Sequence, residues 1–408
     1  SVSMNLRMSR VESSRELAEI MAAVGLAQNF SALRALVTDG IQRGHMTLHA
    51  RSVATAAGAT PEIFDSVVER LVESGDVKIW RAEEIISEVR TQAGQTIPTD
   101  ERGELAAGHG KIILFGEHAV VYGSRAIAAP VPLAVRARVV DDDDGVWLVV
   151  PRWGVEQRLR MDPDKQRSFE VPAALVLREL GLTDRSMRIE VFSEMPRAMG
   201  LGGSAAVAVA IIRAIDRHFQ LGLSDEEVNA LAYRCECVAH GTPSGIDNTV
   251  ATFGQPLVFR KGDPPEIHSL SFPEPVTFVI GMTGVESLTA KMVARVREGR
   301  ERNRDVYDTV IKGIDAVTGQ ALEAIKKSEL ERLGELMNVC QGLLNGLQVS
   351  SWELEEMIQI AREHGALGAK LTGGGGGGSM IALCPDTASE VMTAMREAGY
   401  QAMEVRIG

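Results

Sequence analysis

Six consecutive glycines, Gly373 to Gly378, sit between Lys370-Leu-Thr372 and the apolar run Ser379 to Cys384. Glycine in regular structure costs roughly 1 kcal/mol per residue against alanine in lost chain entropy. A folded β context that keeps six of them points to a close approach of backbone to something else. A flexible linker is the alternative, but the apolar strands expected on both sides leave no room for one. A second glycine-rich stretch, Met195-Pro-Arg-Ala-Met-Gly-Leu-Gly-Gly-Ser-Ala-Ala206, runs straight into an apolar helix expected from about Ser204 to Arg217. Glycines let backbone close on a bulky anion, and the free amides of a helix start supply donors and partial positive charge. No Gly-Lys-Ser/Thr follows, so it is not a Walker loop, and it does not read Gly-x-Gly-x-x-Gly in a dinucleotide position. A Gly/Ala helix packed tightly on a sheet is the structural alternative.

The surroundings of these runs are mixed α and β. With 408 residues the chain has room for two or three domains. Strands are expected over 111–115 and 133–140, with hairpin arms at 146–150 and 156–161. A further strand at 276–282 precedes three helical segments ending near His364, and the tail reads strand, glycine loop, strand, helix, strand to Ile407. Ahead of this lies a helical region: helical spacing from Glu16 to about Ile41, a helix opened by Thr60-Pro61-Glu62 and closed by Gly75, and another over about 81–90. Thr91 to Glu104 has no periodicity and reads as a linker.

A net charge of −12 and a pI near 5.3 argue against a generally basic, nucleic-acid-binding surface. The longest nearly uncharged apolar stretch, Ala198 to Ile212, falls short of the ~18 residues that suggest a membrane span, and no secretory signal is evident. Neither nucleic acid nor membrane is therefore expected as a partner. The four cysteines, Cys235, Cys237, Cys340 and Cys384, lack zinc spacing, so a reduced, cytoplasmic setting is expected. The sequence opens on Ser1, and the expectation is a processed or truncated piece of something longer.

Two further motifs carry chemistry. Gly110-Lys-Ile-Ile-Leu-Phe-Gly-Glu-His-Ala-Val-Val-Tyr-Gly123 puts Lys111 at the start of a strand and Glu117-His118 in the loop after it. His240-Gly-Thr-Pro-Ser-Gly-Ile-Asp-Asn248 places Asp247 in a Pro/Gly turn, where a carboxylate suits a general base beside a hydroxyl substrate; an Asx-capped turn is the plain alternative. Glu236 lies one helical turn before His240.

Taken in order, these motifs resemble the GHMP kinase superfamily and, within it, the mevalonate kinases, across residues 106–408. GEHAVVYG and HGTPSGIDN are the features that favour that family over its relatives. The resemblance implies an α+β fold: a ribosomal-protein-S5-domain-2-like domain (106–270) and a ferredoxin-like domain (271–408), preceded by a small mainly helical domain. It further implies that Asp247 is the catalytic aspartate and Lys111 the lysine that stabilises the transferring phosphoryl group. ATP would lie against Gly200, Leu201, Gly202, Gly203, Ser204, Ala205, Gly374, Gly375 and Gly376, with Mg2+ on Ser204 and Glu236. Glu117, His118, Asp247 and Thr289 fall at positions associated with the substrate pocket for mevalonate. One departure stands out: the family usually reads Gly-Leu-Gly-Ser-Ser-Ala-Ala, and here the first serine is Gly203.

The N-terminal stretch also carries a resemblance. Ala22-Ala-Val-Gly-Leu-Ala-Gln-Asn-Phe30 and Gly40-Ile-Gln-Arg-Gly-His-Met-Thr-Leu-His-Ala-Arg51 resemble the C-terminal flap domain of class II 3-hydroxy-3-methylglutaryl-CoA reductase. The likeness runs over about 5–93, and His45 aligns with that family's catalytic histidine. The remainder of a reductase is absent, so no reductase activity is expected of this chain. The implied organisation is a reductase-like domain at 1–93, a linker at 94–105 and two kinase domains, as a piece of a reductase–kinase fusion that forms a homodimer or higher homo-oligomer. Two other readings stay open from sequence: a kinase of the same superfamily for another small alcohol, such as phosphomevalonate or a different mevalonate hydroxyl, and an assembly module with a degenerate kinase site.

Overall fold

The computed structural model describes residues 105–151, 155–161, 170–193, 195, 199–241, 243–287 and 289–408, together with 13, 15, 24, 49–51, 53–55, 57–59, 61–74 and 77–92. The chain divides into two compact units, 1–93 and 94–408. In the first, α1 (Pro61–Ser74) and α2 (Ile79–Gln92) pack through Val67, Leu71, Ala82, Ile85 and Ile86 onto Ala50, Val53 and Ala54. Pro61 opens α1 as its missing N–H allows. The helix expected over 16–41, apart from the helical Val24, residues 93–104 of the linker and His45 lie outside the described residues, while Thr91 and Gln92, expected in the linker, still belong to α2.

The second unit holds two sheets. The first is built around β2 (Arg125–Asp141), which pairs with β1 (Ala106–Phe115), β5 (Met187–Ser193) and β6 (Leu257–Arg260). β3 (Val146–Val150), β4 (Val155–Arg158) and β7 (Glu266–Ser269) complete the order β4-β3-β5-β2-β6-β7, with β1 also on β2. Helices α3 (Val171–Glu179), α4 (Gly203–Phe219), α5 (Asp225–His240) and α6 (Ile246–Phe253) belong to this half. The alanine-rich face of α4 comes so close to β1 that a side chain on Gly108 would stand 2.1 Å from Ala206 O.

The second sheet has four antiparallel strands in the order β11-β8-β10-β9: β8 (Val276–Met282), β9 (Gly368–Thr372), β10 (Ser379–Leu383) and β11 (Gln401–Ile407). Its helices are α7 (Thr289–Arg302), α8 (Arg304–Lys326), α9 (Leu330–Gly346), α10 (Trp352–Glu363) and α11 (Ala388–Glu397). The second unit thus has mixed α and β content.

Three details differ from the sequence expectation. Four helices, not three, lie between β8 and β9, because the backbone leaves helical geometry at Asn303 without any Gly or Pro to mark it. Strand β2 begins eight residues earlier than the expected start at Leu133 and runs through Pro130 and Pro132. Lys111 is inside β1 rather than at its start. It stands opposite Pro130 on β2, and its N–H faces the other way, as that of Ile113 does, to donate to Leu201 O at 2.8 Å.

Candidate active site

That outward-facing N–H joins β1 to the first glycine run. The Lys111 side chain, 3 % exposed, brings Nζ within 3.2 Å of Asp247 Oδ1 and 3.4 Å of Gly200 O. Asp247 is not in a turn, as the sequence suggests, but in the first turn of α6, whose N-cap is Gly245 in the left-handed conformation. Its carboxylate remains about one-third exposed. Gly202, at φ +76°, lies directly over Lys111: an added Cβ would stand 2.8 Å from Lys111 Cγ. The lysine stem therefore fills the space that a side chain at 202 would need.

Gly202 is also the N-cap of α4, and no side chain caps that helix. Its first-turn amides meet no side-chain acceptor among the described residues, which suits an anion. Ser204, one position into the helix, donates from Oγ to Glu236 Oε1 at 2.7 Å across to α5. A hydroxyl and a carboxylate are thereby adjacent at the helix start. This oxygen donor pair fits a hard cation that takes its remaining ligands from phosphate and water. Among the described residues no cluster of three or more His, Cys, Asp or Glu is arranged to hold a metal without such help.

Glu117 and His118 reach in another direction. His118 adopts φ 58°, an uncommon conformation for a residue with a side chain, and its Nε2 donates to Gly374 O at 2.9 Å. Burial holds its pKa below the ordinary 6.5, against the raising effect of that hydrogen bond. Glu117 is fully buried and ion-paired with the equally buried Lys370 of β9, which also donates to Leu371 O at 2.7 Å. Burial raises the Glu117 pKa, opposed by Lys370. Between these contacts, Thr372 Oγ1 donates to Ile113 O at 3.0 Å and accepts from Ile113 N at 2.8 Å. Lys370 and Thr372, alternating as strand geometry demands, and the carbonyl of Gly374 beyond the strand's end thus sew the second sheet to β1 and the loop after it.

The loop continuing from this seam is enclosed along its length. A Cβ on Gly374 would stand 2.7 Å from Thr289 Oγ1, and one on Gly375 would stand 2.0 Å from Val349 O. Gly376 N and Gly378 N donate to Val349 O and Val285 O, both at 2.8 Å, and Ser287 Oγ donates to Gly375 O at 3.2 Å. This packing rules out the linker alternative. Gly373 approaches Gly200 O, so the two glycine runs are neighbours.

The sequence candidates therefore form three groups: Lys111 with Asp247 and residues 200–202; Ser204 with Glu236; and Glu117, His118, Gly374 and Thr289. Lys370 and Thr372 are absent from the sequence candidates. Their signal is a lysine and a threonine inside an otherwise apolar, wholly buried strand, where polar groups need partners.

Family models match in both units: GHMP kinases N terminal domain over 169–255, GHMP kinases C terminal over 321–401 and hydroxymethylglutaryl-coenzyme A reductase over 1–50. The chain is 36% identical over 322 residues to a mevalonate kinase of Thermococcus sibiricus, covering 74% of this chain and 96% of that one. It is 38% identical over 323 residues to a mevalonate kinase of Thermococcus gammatolerans, with the same shares covered. The crystal structure of L. major mevalonate kinase in complex with R-mevalonate superposes with a TM-score of 0.63 at 32% identity, covering 74% of this chain and 95% of that one.

Proposed function

Because the chain belongs to the mevalonate kinase family, we propose that its second unit transfers the γ-phosphoryl group of ATP to the 5-hydroxyl of mevalonate. The observation that carries this reading is the Lys111–Asp247 pair, 3.2 Å apart beside Gly200 and the uncapped start of α4. Asp247, partly exposed, takes or orients the proton of the attacking hydroxyl. Lys111, nearly buried, places fixed positive charge where the transferring group becomes most anionic. A preorganised charge shielded from water needs little reorganisation as the reaction proceeds. Ser204 and Glu236 would hold the magnesium ion, which when bound neutralises phosphate oxygens. The α4 amides and the backbone around Gly200–Ala205 and Gly374–Gly376 bind the nucleotide phosphates, while His118 and Thr289 shape the alcohol pocket. Glu117 meets Lys370 through Oε1 alone, and its buried Oε2 has no hydrogen-bond partner among the described residues, which leaves that oxygen available beside His118.

In the same reading, residues 1–93 are a reductase-derived module, 94–105 a linker, and 106–270 and 271–408 the kinase halves. A reductase produces the alcohol that such a kinase consumes, which gives a fusion of the two a chemical rationale. With His45 lacking the rest of a reductase site, the chain does not oxidise NADH or NADPH with 3-hydroxy-3-methylglutaryl-CoA. The protein works in the cytoplasm as a homo-oligomer. The deciding experiment offers mevalonate, phosphomevalonate and galactose with ATP and magnesium and identifies the product. Formation of 5-phosphomevalonate is expected, and turnover of phosphomevalonate without mevalonate would overturn the assignment.

A further inference from the structure

Lys370 and Glu117 form an ion pair in which neither side chain reaches solvent. The lysine stands in the middle of β9, where every residue is buried, and the glutamate in the loop after β1. The ammonium meets Glu117 Oε1 and Leu371 O, with the Phe115 ring centre 6.0 Å away. Glu117 Oε2 is buried as well and, among the described residues, has no hydrogen-bond partner. Taking two charges out of water is costly, and well-packed apolar side chains of similar volume hold a fold together as well or better. A carboxylate oxygen left dry and unbonded adds to that cost. Packing alone gives no reason to keep such an oxygen.

The pair is also the far end of a chain of alternating charge. Burial is the largest influence on the Glu117 carboxyl and favours its neutral form, while Lys370 and, after it, Lys111 favour the carboxylate. Lys111 in turn lies 3.2 Å from Asp247. The order from the second sheet to the proposed reacting end is thus Lys370, Glu117, Lys111, Asp247. His118, next to Glu117, is fixed on Gly374 O at 2.9 Å, and a Cβ on Gly374 would stand 2.7 Å from Thr289 Oγ1. The unbonded oxygen therefore sits one residue from a side chain that shapes the proposed alcohol pocket.

We infer that Lys370 is a positioning residue for the alcohol: by holding Oε1 of Glu117 it presents Oε2 to accept the O–H of a substrate hydroxyl. An ionised carboxylate only accepts, and a hydroxyl is the donor that this oxygen lacks. A bond of this charge-assisted kind is short and strong. Without the lysine, burial favours the neutral acid, which offers a donor where an acceptor is required.

This inference rests on the kinase reading, and a cycle of three variants of the full chain tests it separately. Lys370→Met and Glu117→Gln should each raise the mevalonate KM about tenfold or more, the size of one hydrogen bond to a charged group, and leave the KM for ATP within about twofold. The double variant should be no worse than Glu117→Gln within about twofold, because the lysine acts only through the glutamate. Effects that multiply in the double variant overturn the inference, as does a rise in both KM values together, which marks a merely structural role. Each single variant leaves one charge unpaired and the double leaves none, so the double replaces Lys370→Met if that chain does not fold. A folded double variant whose mevalonate KM matches the parent's also overturns the inference. A parent protein that phosphorylates a different alcohol discards the mevalonate assignment, and the same cycle read on that alcohol's KM still decides the role of Lys370.

Discussion

The two glycine runs look alike on paper and are held in opposite ways. Along 373–378, each missing side chain is replaced by a neighbour: Gly200 O, Thr289, Val349 O, Met292, Val285 O and Ser287 in turn. Along 200–203, the constraint is concentrated at Gly202, where Lys111 presses, while at Gly203 the nearest atom to a would-be Cβ is Met195 Cε at 3.9 Å. The second run is glycine because the fold closes over it. The first is glycine partly to seat Lys111, and it borders the space proposed for nucleotide phosphate.

The largest effect that tests this contrast is Gly375→Ala. A methyl group 2.0 Å from a carbonyl oxygen, on a residue at φ +74°, leaves neither the clash nor the dihedral a cheap escape. The expected loss is about 3–5 kcal/mol, seen as a large fall in melting temperature or in soluble yield. A variant that melts like the parent would show that the loop is not closed as described. Gly202→Ala should act differently. It displaces a side chain rather than backbone, so the stability loss is smaller, about 1–2 kcal/mol. Turnover, however, should fall by about a hundredfold as Lys111 leaves Asp247. If turnover survives and the two variants melt alike, the distinction between the runs collapses.

A third, smaller effect concerns the seam between His118 and Gly374. Because burial lowers the His118 pKa, the unfolded chain binds more protons than the folded one in the interval below 6.5. Stability is therefore lost as pH falls from 6.5 toward the folded-state pKa. His118→Asn should make the dependence of melting temperature on pH shallower in that interval. Some slope remains, because His109 is also held low, by burial and then by Arg213 and Arg136. An unchanged slope would mean that His118 is not the buried neutral group the seam requires.

What the sequence makes legible follows from where the determining contacts lie. Strand, loop, strand, helix and strand from 368 to 407 can be read from local pattern alone, because apolar runs and turn residues alternate cleanly there. The break at Asn303 cannot, since helical periodicity passes through it and only the turn of the chain reveals it. The Ser204–Glu236 contact joins residues on two helices, and the Lys111–Asp247 contact joins a strand to a helix start. No spacing rule connects such positions, and only the family resemblance brought them together beforehand. Lys370 escaped both routes. Its partner Glu117 lies 253 residues away, and a single lysine in a strand looks solvated until the second sheet is docked against β1.

The mildest prediction is the one that most directly sharpens the contrast. The resemblance to the mevalonate kinases implies a serine where Gly203 stands, and a degenerate kinase site is one explanation for such a change. The geometry argues against any structural need for it: φ at 203 is ordinary, and a Cβ finds 3.9 Å of clearance from a flexible methionine end. Residue 203 opens α4, where serine is favoured over glycine in a helix by a few tenths of a kcal/mol. Gly203→Ser should therefore leave the melting temperature unchanged or slightly raised. Its hydroxyl would face the uncapped amides and the proposed phosphate site, so the KM for ATP should fall about two- to threefold, with turnover within about twofold, since one added neutral hydrogen bond contributes about 0.5–1 kcal/mol. Destabilisation comparable to that of Gly375→Ala would place both runs in the same closed class. A folded variant with unchanged KM for ATP would show instead that the nucleotide phosphates do not pass residue 203, and the proposed path of ATP along the first run would have to be redrawn.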